Sequence, residues 1–155
     1  MIRKATKKDL PALYDLYTYF VGHLMKARPT RYGLDRINPK SFGKEFEALI
    51  NGSTGNILVF EEKGRIAGYG IGKIVDSVLF VKQKQHGELY QIVVREESQN
   101  KGIGKALANE LINWMKSKGV TLIYGLVDLN NKESLRVWGK LGFRDELVYI
   151  AKDSN

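Results

Sequence analysis

One segment of the chain combines glycines and lysines in a way that suits the binding of a phosphate group. It reads Gln99-Asn100-Lys101-Gly102-Ile103-Gly104-Lys105-Ala106. The pattern before it predicts a strand and the pattern after it a helix, so the glycines stand where the chain turns. The first N–H groups of a helix have no intrahelical partner, and with the helix dipole and two lysines they would hold a phosphate or pyrophosphate. A turn without a ligand is the alternative, because a short glycine motif is a weak signal.

Two common phosphate-binding motifs are excluded by the residues around these glycines. A Walker A loop requires Ser or Thr after Gly-Lys, but Ala106 stands there, and no glycine occupies the required earlier position. The dinucleotide-binding fingerprint requires a third glycine at the place of Leu107. Three other glycines alternate within a predicted strand: Gly68, Gly70 and Gly72. Their spacing indicates packing or close approach of neighbouring groups.

The elements that would position this segment are predicted from hydrophobic periodicity and turn residues. Helices are expected at 9–24, around 42–50, from 103 to Gly119 and at 131–141. Strands are expected at 1–5, 56–61, 65–75, 88–94, 120–127 and 147–151, with residues 77–81 as one extension of the strand at 65–75 past a bulge. The strand at 120–127 is expected to be buried, because its residues form an apolar run. This order predicts a mixed α/β sheet with helices on its faces.

Composition limits the class of protein. The chain has 155 residues, 43% apolar and 27% charged, which predicts one soluble domain over residues 1–155. It has no cysteine and two histidines, which excludes disulfides and thiol nucleophiles and argues against a metal centre. No apolar stretch reaches the roughly 20 residues of a membrane helix, and the charged start is unlike a secretory signal, so we expect a cytoplasmic protein. The net charge of +8 is spread along the chain, which favours a solvated surface.

Two segments resemble the core motifs of the GNAT superfamily of acyl-CoA-dependent N-acetyltransferases. The first family motif is Arg or Gln, two residues, Gly, one residue, and Gly or Ala, and Gln99, Gly102 and Gly104 match it. The second is an Asn, a small residue three places later, an aromatic residue four places after that, and a closing Leu-Gly-Phe. It is matched by Asn131, Ser134, Trp138 and Leu141-Gly142-Phe143. The order of elements resembles the family over nearly the whole chain.

The resemblance implies a fold and a cosubstrate. The fold would be a central, mostly antiparallel sheet with a splayed pair of parallel strands, 88–94 and 120–127, and helices on both faces. The pantetheine arm of acetyl-CoA would lie in that gap, paired to backbone groups of Ile92, Val93 and Val94. A strand N–H group near Val93 would polarise the thioester carbonyl.

The remaining cosubstrate contacts and the reaction follow from the same resemblance. The pyrophosphate would rest on N–H groups from Gln99 to Lys105, with Asn131 and Ser134 also in the cosubstrate site. No metal is implied. A primary amine, on a small molecule or a peptide, would attack the thioester directly without an acyl-enzyme, which is consistent with the absence of cysteine.

The attacking amine must be neutral, so some base must take its proton. Glu88, Tyr90 and Ile92 share one face of a regular strand, by its period of two. Glu88 occupies a strand-start position where some family members place a catalytic glutamate; the alternative is a surface carboxylate at a strand end. Many members carry acidic residues at the places of Tyr90 and Gln91, which this chain lacks. Glu88 and Tyr90 are therefore the candidate catalytic residues on this strand.

The second motif contains the clearest departure from the family. Asn131, Ser134 and Trp138 fall on one face of a helix, and Asn131 is also a good N-cap. The family commonly has a tyrosine at the place of Trp138, whose hydroxyl protonates the leaving thiolate. An indole N–H is not a practical acid, so either solvent or another tyrosine, Tyr124 or Tyr149, would replace it. Trp138 would then shape and dry the thioester end of the site, or pack in the core.

The sequence thus predicts an acetyl-CoA-dependent N-acetyltransferase. Two other classes of function stay open. A catalytically silent acyl-CoA-binding sensor with the same fold is compatible with Trp138. A basic nucleic-acid-binding module is suggested by charge alone, but the chain lacks an aromatic-rich basic strand or a recognition-helix pattern. No membrane partner is expected, and a homodimer is left open.

Overall fold

The computed structural model describes residues 1–28, 31–35, 37–79, 81–146 and 151–152. Five strands of this part of the chain form one sheet: β1 (Ile2–Lys4), β2 (Gly55–Glu62), β3 (Arg65–Asp76), β4 (Gln85–Val94) and β5 (Ile123–Gly125). The helices of the same residues are α1 (Leu10–Ala27), α2 (Pro39–Asn51), α3 (Ile103–Ser117) and α4 (Lys132–Lys140). The strand order is β1-β2-β3-β4-β5, with antiparallel pairs up to β4 and a parallel pair between β4 and β5. The predicted mixed sheet is confirmed.

The turn that leads into α1 is fixed by the carboxylate of Asp9. Asp9 accepts hydrogen bonds from two guanidinium nitrogens of Arg3, both at 2.8 Å. It also accepts from the backbone N–H and the hydroxyl of Thr6, at 2.8 and 2.9 Å. These bonds, led by those from Arg3, lower the pKa of Asp9 to about 2 against the opposing effect of burial. The charged carboxylate therefore ties β1 to the start of α1.

Helices cover both faces of the sheet, as expected. On one face α1 and α2 pack through Leu13, Leu16 and Phe46 against strand residues such as Ile71. On the other face α3 packs against a second cluster of strand residues, and its contributions are Ile103, Leu107, Leu111 and Met115. Each side of the sheet therefore has its own hydrophobic core. Among the described residues, no helix combines the length and the apolar character needed to cross a membrane.

The alternating glycines of β3 make room for α3. A Cβ atom on Gly70 would lie 2.9 Å from Leu111 Cδ1, and one on Gly72 would lie 2.7 Å from Met115 Cε. Real Cβ atoms hardly ever come so close to another heavy atom, so a side chain at either position would force the end of Leu111 or Met115 to shift. This confirms that these glycines serve packing.

A β-bulge interrupts β4 at Tyr90. Ile71 of β3 pairs with Gln91, and the next residue, Gly72, pairs with Leu89, which leaves Tyr90 as an extra residue. Leu89 is a buried part of the α3-side core, and Ile92 packs against the same core. The expectation that Glu88, Tyr90 and Ile92 share one face is therefore wrong for Ile92, because the extra residue shifts the alternation by one.

The end of β3 differs from expectation. The strand stops at Asp76, and the N–H of the next residue, Ser77, donates to the Lys84 carbonyl at 2.9 Å. This bond closes a loop between β3 and β4. The predicted extension of the strand is therefore wrong for residues 77–79 and 81, and residue 80 lies outside the described residues.

Of the last two predicted strands, one is shorter than expected and most of the other lies outside the described residues. The strand predicted at 120–127 is reduced to β5 and is not buried throughout: Val120 packs under α3, while Leu126 is 74% exposed. An apolar run cannot distinguish residues that pair in a sheet from residues that pack under a helix. Residues 147–150 of the final predicted strand lie outside the described residues.

Candidate active site

A gap opens in the sheet where β4 and β5 separate. The two strands pair only from Gly87 to Leu89, opposite Ile123 to Gly125. β4 continues to Val94, whereas the described chain after Gly125 leaves the strand conformation. Among the described residues, the edge of β4 beyond Leu89 therefore has no strand beside it. The expected splayed pair is confirmed.

The hydrogen bonds at the end of β4 show which backbone groups face this gap. The Arg95 N–H donates to the Ala67 carbonyl of β3 at 2.8 Å. The Val94 carbonyl instead accepts from the side chain of Gln99 at 3.1 Å, away from β3. Because backbone groups alternate in direction along a strand, those of Ile92 and Val94 point to the gap and those of Val93 point to β3. The expectation that the Val93 N–H lines the gap is therefore wrong.

The loop before α3 presents backbone N–H groups. Gly102, the N-cap of α3, has φ of 78°, a left-handed conformation that explains the glycine. The Ala106 N–H donates to the Gly102 carbonyl at 3.0 Å and forms the first helical bond. The N–H groups of Ile103, Gly104 and Lys105 precede that bond and have no partner within the helix. The exposed side chains of Lys101 and Lys105 add positive charge at the same end of α3.

The backbone N–H of Gln99, which was expected to bind the pyrophosphate, is already paired. Its backbone N–H donates to the Glu96 carbonyl at 3.1 Å, so it is not free to bind a pyrophosphate. Its side-chain amide donates to the Val94 carbonyl and to the Tyr19 hydroxyl of α1, at 3.1 and 3.3 Å. Gln99 thus connects the end of β4 to α1, and the backbone groups that remain for an anion begin at Asn100.

Glu88 and Tyr90 lie on the sheet face that carries α1 and α2. Glu88 stands opposite Lys73 of β3, and 40% of its side chain is exposed. The Tyr90 ring has the Lys73 ammonium nitrogen 3.5 Å from its centroid. Partial burial, together with the negative charges of Glu45 and Glu88, raises the pKa of the Tyr90 hydroxyl. Tyr90 therefore keeps its proton at neutral pH, and Glu88 is the member of the pair that can accept one.

Aromatic side chains close this face toward the first two helices. Tyr17 of α1 packs on Phe42 and Phe46 of α2, with ring centroids 5.3 and 5.8 Å apart. The buried Tyr69 of β3 donates its hydroxyl proton to Gln91 Oε1 at 2.9 Å. Burial raises the pKa of Tyr69 well above its usual value, so its hydroxyl stays a donor. Tyr69 therefore orients Gln91, which lies next to the bulge.

Comparison with known proteins identifies the family. The family model described as acetyltransferase (GNAT) matches residues 20–143, which is most of the chain. The chain belongs to the GNAT family.

Individual relatives agree with this assignment. An uncharacterised N-acetyltransferase of Methanocaldococcus jannaschii is 25% identical over 150 residues, which are 95% of this chain and 62% of that relative. The chain therefore spans less than two thirds of the length of this curated relative. A tetramutant of a Bacillus halodurans protein has the same fold, with a TM-score of 0.84, 24% identity and 99% of both chains covered. An aminoglycoside N-acetyltransferase in complex with CoA also has this fold, with a TM-score of 0.76, 19% identity and coverage of 99% of this chain and 93% of that one.

The second GNAT motif forms the start and the end of α4. The Asn131 side chain accepts from the Ser134 N–H at 3.0 Å, which confirms that Asn131 is an N-cap. The half-buried Trp138 packs edge to face with Phe143 at 5.3 Å and against the α3-side core. Glu88 lies on the opposite face of the sheet. Trp138 therefore has a packing role, and Tyr149, one of the tyrosines considered as its substitute, lies outside the described residues.

Three side chains that lie near Glu88 and Tyr90 were not among the candidates from the sequence. Lys73 stands opposite Glu88, Gln91 is held by Tyr69, and His86 lies close to Glu88. The position of Lys73 opposite Glu88 depends on the register of β3 against β4. The bulge shifts this register by one residue, and the sequence does not reveal the shift. His86 could have been found from its spacing of two from Glu88, which places both on one face.

Proposed function

We propose that this chain is an acetyl-CoA-dependent N-acetyltransferase, which transfers the acetyl group to a primary amine by direct attack. The observation that carries the proposal is the gap between β4 and β5, which lies next to the unpaired N–H groups at the start of α3. A strand edge can pair with the amides of a pantetheine arm, and helix N–H groups bind phosphates. The GNAT relative in complex with CoA supports the same assignment.

The fit of acetyl-CoA follows from the groups that remain unpaired. The N–H groups from Asn100 to Lys105 would bind the pyrophosphate, with the charges of Lys101 and Lys105 beside it. The backbone of Val94 would pair with the pantetheine arm. The Ile92 N–H, rather than that of Val93, would donate to the thioester oxygen as negative charge develops there. Acetyl-CoA supplies the thioester carbon that the amine attacks and the thiolate that leaves.

Glu88 would act as the general base. A free alkylamine has a pKa of about 10 and is protonated at neutral pH, so a proton must be removed before the nitrogen can attack. Glu88 is half-exposed and precedes the bulge at Tyr90 by two residues, on the face that carries α1 and α2. Tyr90 keeps its proton and would donate a hydrogen bond to the acceptor or to the leaving thiolate.

The acceptor would be a small-molecule amine or a peptide amine. The face around Tyr90 carries two carboxylates, Glu45 and Glu88, and one ammonium group, Lys73. The carboxylates favour the approach of a protonated amine. The structural relative that is named an aminoglycoside N-acetyltransferase supports a small-molecule amine as one class to be tested.

The test is turnover of acetyl-CoA with a panel of amines, read as the release of free CoA. The panel contains amino acids, polyamines, aminoglycosides and peptides with free N-termini. We expect release with at least one acceptor class, and a fall in kcat of about 100-fold or more in Glu88→Gln with acetyl-CoA affinity unchanged. A Glu88→Gln rate within a factor of two of the parent at every pH would assign the proton transfer to water.

The second candidate is a catalytically silent sensor of acyl-CoA. It is favoured by Trp138, which replaces the usual tyrosine acid and packs against the core. A sensor would bind acetyl-CoA, which raises the melting temperature of the protein, but would release no CoA with any amine. The same panel, combined with thermal denaturation, therefore separates the two functions.

A further inference from the structure

A second titratable side chain lies beside Glu88. His86 precedes Glu88 by two residues on β4, so the two side chains lie on one face of the strand. The His86 Nε2 atom is 3.6 Å from Glu88 Oε1. This is longer than a hydrogen bond, and a small side-chain movement would bring the two atoms within hydrogen-bond distance. The imidazole is also mostly enclosed, with 17% of its side chain exposed.

The other ring nitrogen of His86 also has a partner. His86 Nδ1 is 2.8 Å from the hydroxyl oxygen of Ser77, which directly follows β3. The ring packs edge to face against Tyr124 of β5, with centroids 5.2 Å apart. These contacts hold the imidazole plane between a carboxylate on one side and a hydroxyl on the other. Ser77 belongs to the loop closed by the Lys84 carbonyl, so this row of groups leads from Glu88 out of the sheet.

We propose that His86 and Ser77 form the path by which the proton taken up by Glu88 leaves the site. This inference rests on the proposed function. In each turnover the amine N–H bond breaks and the proton bonds to a Glu88 oxygen. It then passes to His86 Nε2, while the proton on Nδ1 passes to the Ser77 oxygen and the Ser77 hydroxyl proton passes to water. Before the next turnover, water returns a proton to Nδ1 and the Nε2 proton leaves to water, so that the ring regains the tautomer that can accept a proton from Glu88. One proton moves from the amine to solvent, and Glu88 is returned as a carboxylate for the next acceptor.

The proposed path has a limited set of charged neighbours. Among the described residues, Glu88 on its own strand and Tyr124 on β5 lie against the imidazole, and Lys73 on β3 pairs with Glu88. Glu45 of α2 acts on Tyr90 from the helix side of the same face. A purely structural His86 would only hold the loop of Ser77 to the sheet, and its removal would act on stability rather than on proton transfer.

The test is a double-mutant cycle of His86→Gln and Glu88→Gln, measured as kcat and KM over a range of pH. We expect His86→Gln to lower kcat about tenfold, with the KM of the acceptor and the affinity for acetyl-CoA within a factor of two of the parent. In the Glu88→Gln background the same change should alter kcat less than twofold, because His86 acts only through Glu88. Ser77→Ala should lower kcat in the same direction, by a smaller factor.

Two results would overturn the inference. One is a kcat of His86→Gln equal to that of the parent; the other is an equal loss from His86→Gln in both backgrounds. Either result would leave Glu88 as the base if Glu88→Gln alone remains slow. Absence of turnover in the parent would instead remove the proposed function together with the path.

Two further variants keep the test decisive. The melting temperature of His86→Gln shows whether that variant folds. If it does not fold, Ser77→Ala tests the same path, because it removes one oxygen atom and should still lower kcat. His23→Gln removes the other imidazole of the chain and should keep the pH profile of the parent. A changed profile in His23→Gln, with none in His86→Gln, would contradict the path.

Discussion

The ammonium nitrogen of Lys73 lies 3.5 Å from the centroid of the Tyr90 ring. Tyr90 is the extra residue of the bulge in β4. Lys73 of β3 pairs with Glu88, which precedes Tyr90 by two residues on β4. A cation over the face of an aromatic ring is attracted by the negative charge density there. Lys73 thus holds the ring of the one residue that breaks the regular alternation of β4.

The first prediction measures this contact. A cycle of Lys73→Met and Tyr90→Leu should give a coupling in the free energy of unfolding of about 0.5–1 kcal/mol, because the pair is partly exposed. Chemical denaturation of the four proteins gives the number. Tyr90→Phe is the matched control: it keeps the ring, so the coupling to Lys73 should survive. A coupling of zero with the parent tyrosine would show that the two side chains stabilise the bulge independently.

The second prediction concerns the loop before α3. Gly102→Asp should abolish the rise in melting temperature that acetyl-CoA causes, since a carboxylate would stand among the N–H groups proposed for the pyrophosphate. Gly102→Asn is the matched control, because it has the same shape without the charge. Asn and Asp both tolerate the left-handed conformation that Gly102 adopts at φ of 78°. Equal melting curves for the two variants with acetyl-CoA would contradict a pyrophosphate site at this position.

The third prediction concerns Trp138, which is half-buried against Phe143 and the α3-side core. Trp138→Tyr should keep acetyl-CoA binding and change kcat by no more than a few-fold, because both rings are large and flat. Trp138→Ala leaves a cavity in a partly buried site and should lower the free energy of unfolding by about 2 kcal/mol. Steady-state kinetics and denaturation curves distinguish the effects. Loss of activity in a folded Trp138→Tyr protein would make the indole itself a requirement of the site.

The fourth prediction is a pH dependence of stability. The pKa of Asp9 falls from the usual 3.8 to about 2 in the folded protein, chiefly because Arg3 donates to it. The folded state therefore gains stability from this carboxylate above the unfolded pKa, and loses it as the pH falls through the folded pKa. Denaturation curves between pH 4 and 2 should show a loss of stability that is smaller in Asp9→Asn, a window set by the same two values. Asp15→Asn, an exposed carboxylate of α1, is the control and should follow the parent.

The features that could be predicted from the sequence are local ones. Asn131 was predictable as a cap because the bond to the Ser134 N–H spans three residues. Gly102 was predictable at the turn into α3 because glycine is the residue that the left-handed conformation favours. The parallel order of β4 and β5 was implied by the resemblance to the GNAT superfamily, and the helix between the two strands is the kind of connection that parallel strands require.

The features that could not be predicted depend on pairing between distant residues. The bulge at Tyr90 arises from the register of β3 against β4, and no residue pattern within β4 itself predicts it. That single extra residue moved Ile92 to the α3 side and turned the Val93 backbone toward β3. The shortness of β5 has a similar cause, since Val120 is buried by packing under α3 rather than by pairing in the sheet.

The alternating glycines of β3 have a consequence for how substitutions in this protein would be interpreted. Even a methyl group at Gly70 or Gly72 would meet α3 at 2.9 or 2.7 Å, respectively. A survey of all single substitutions would therefore find reduced tolerance at these positions, because the ends of Leu111 and Met115 must move aside for any side chain. Intolerance at Gly70 and Gly72 would report the spacing between a helix and a sheet, whereas intolerance at Glu88 would report chemistry. The two can be separated by measuring abundance beside activity, because crowding at the glycines would lower the amount of folded protein.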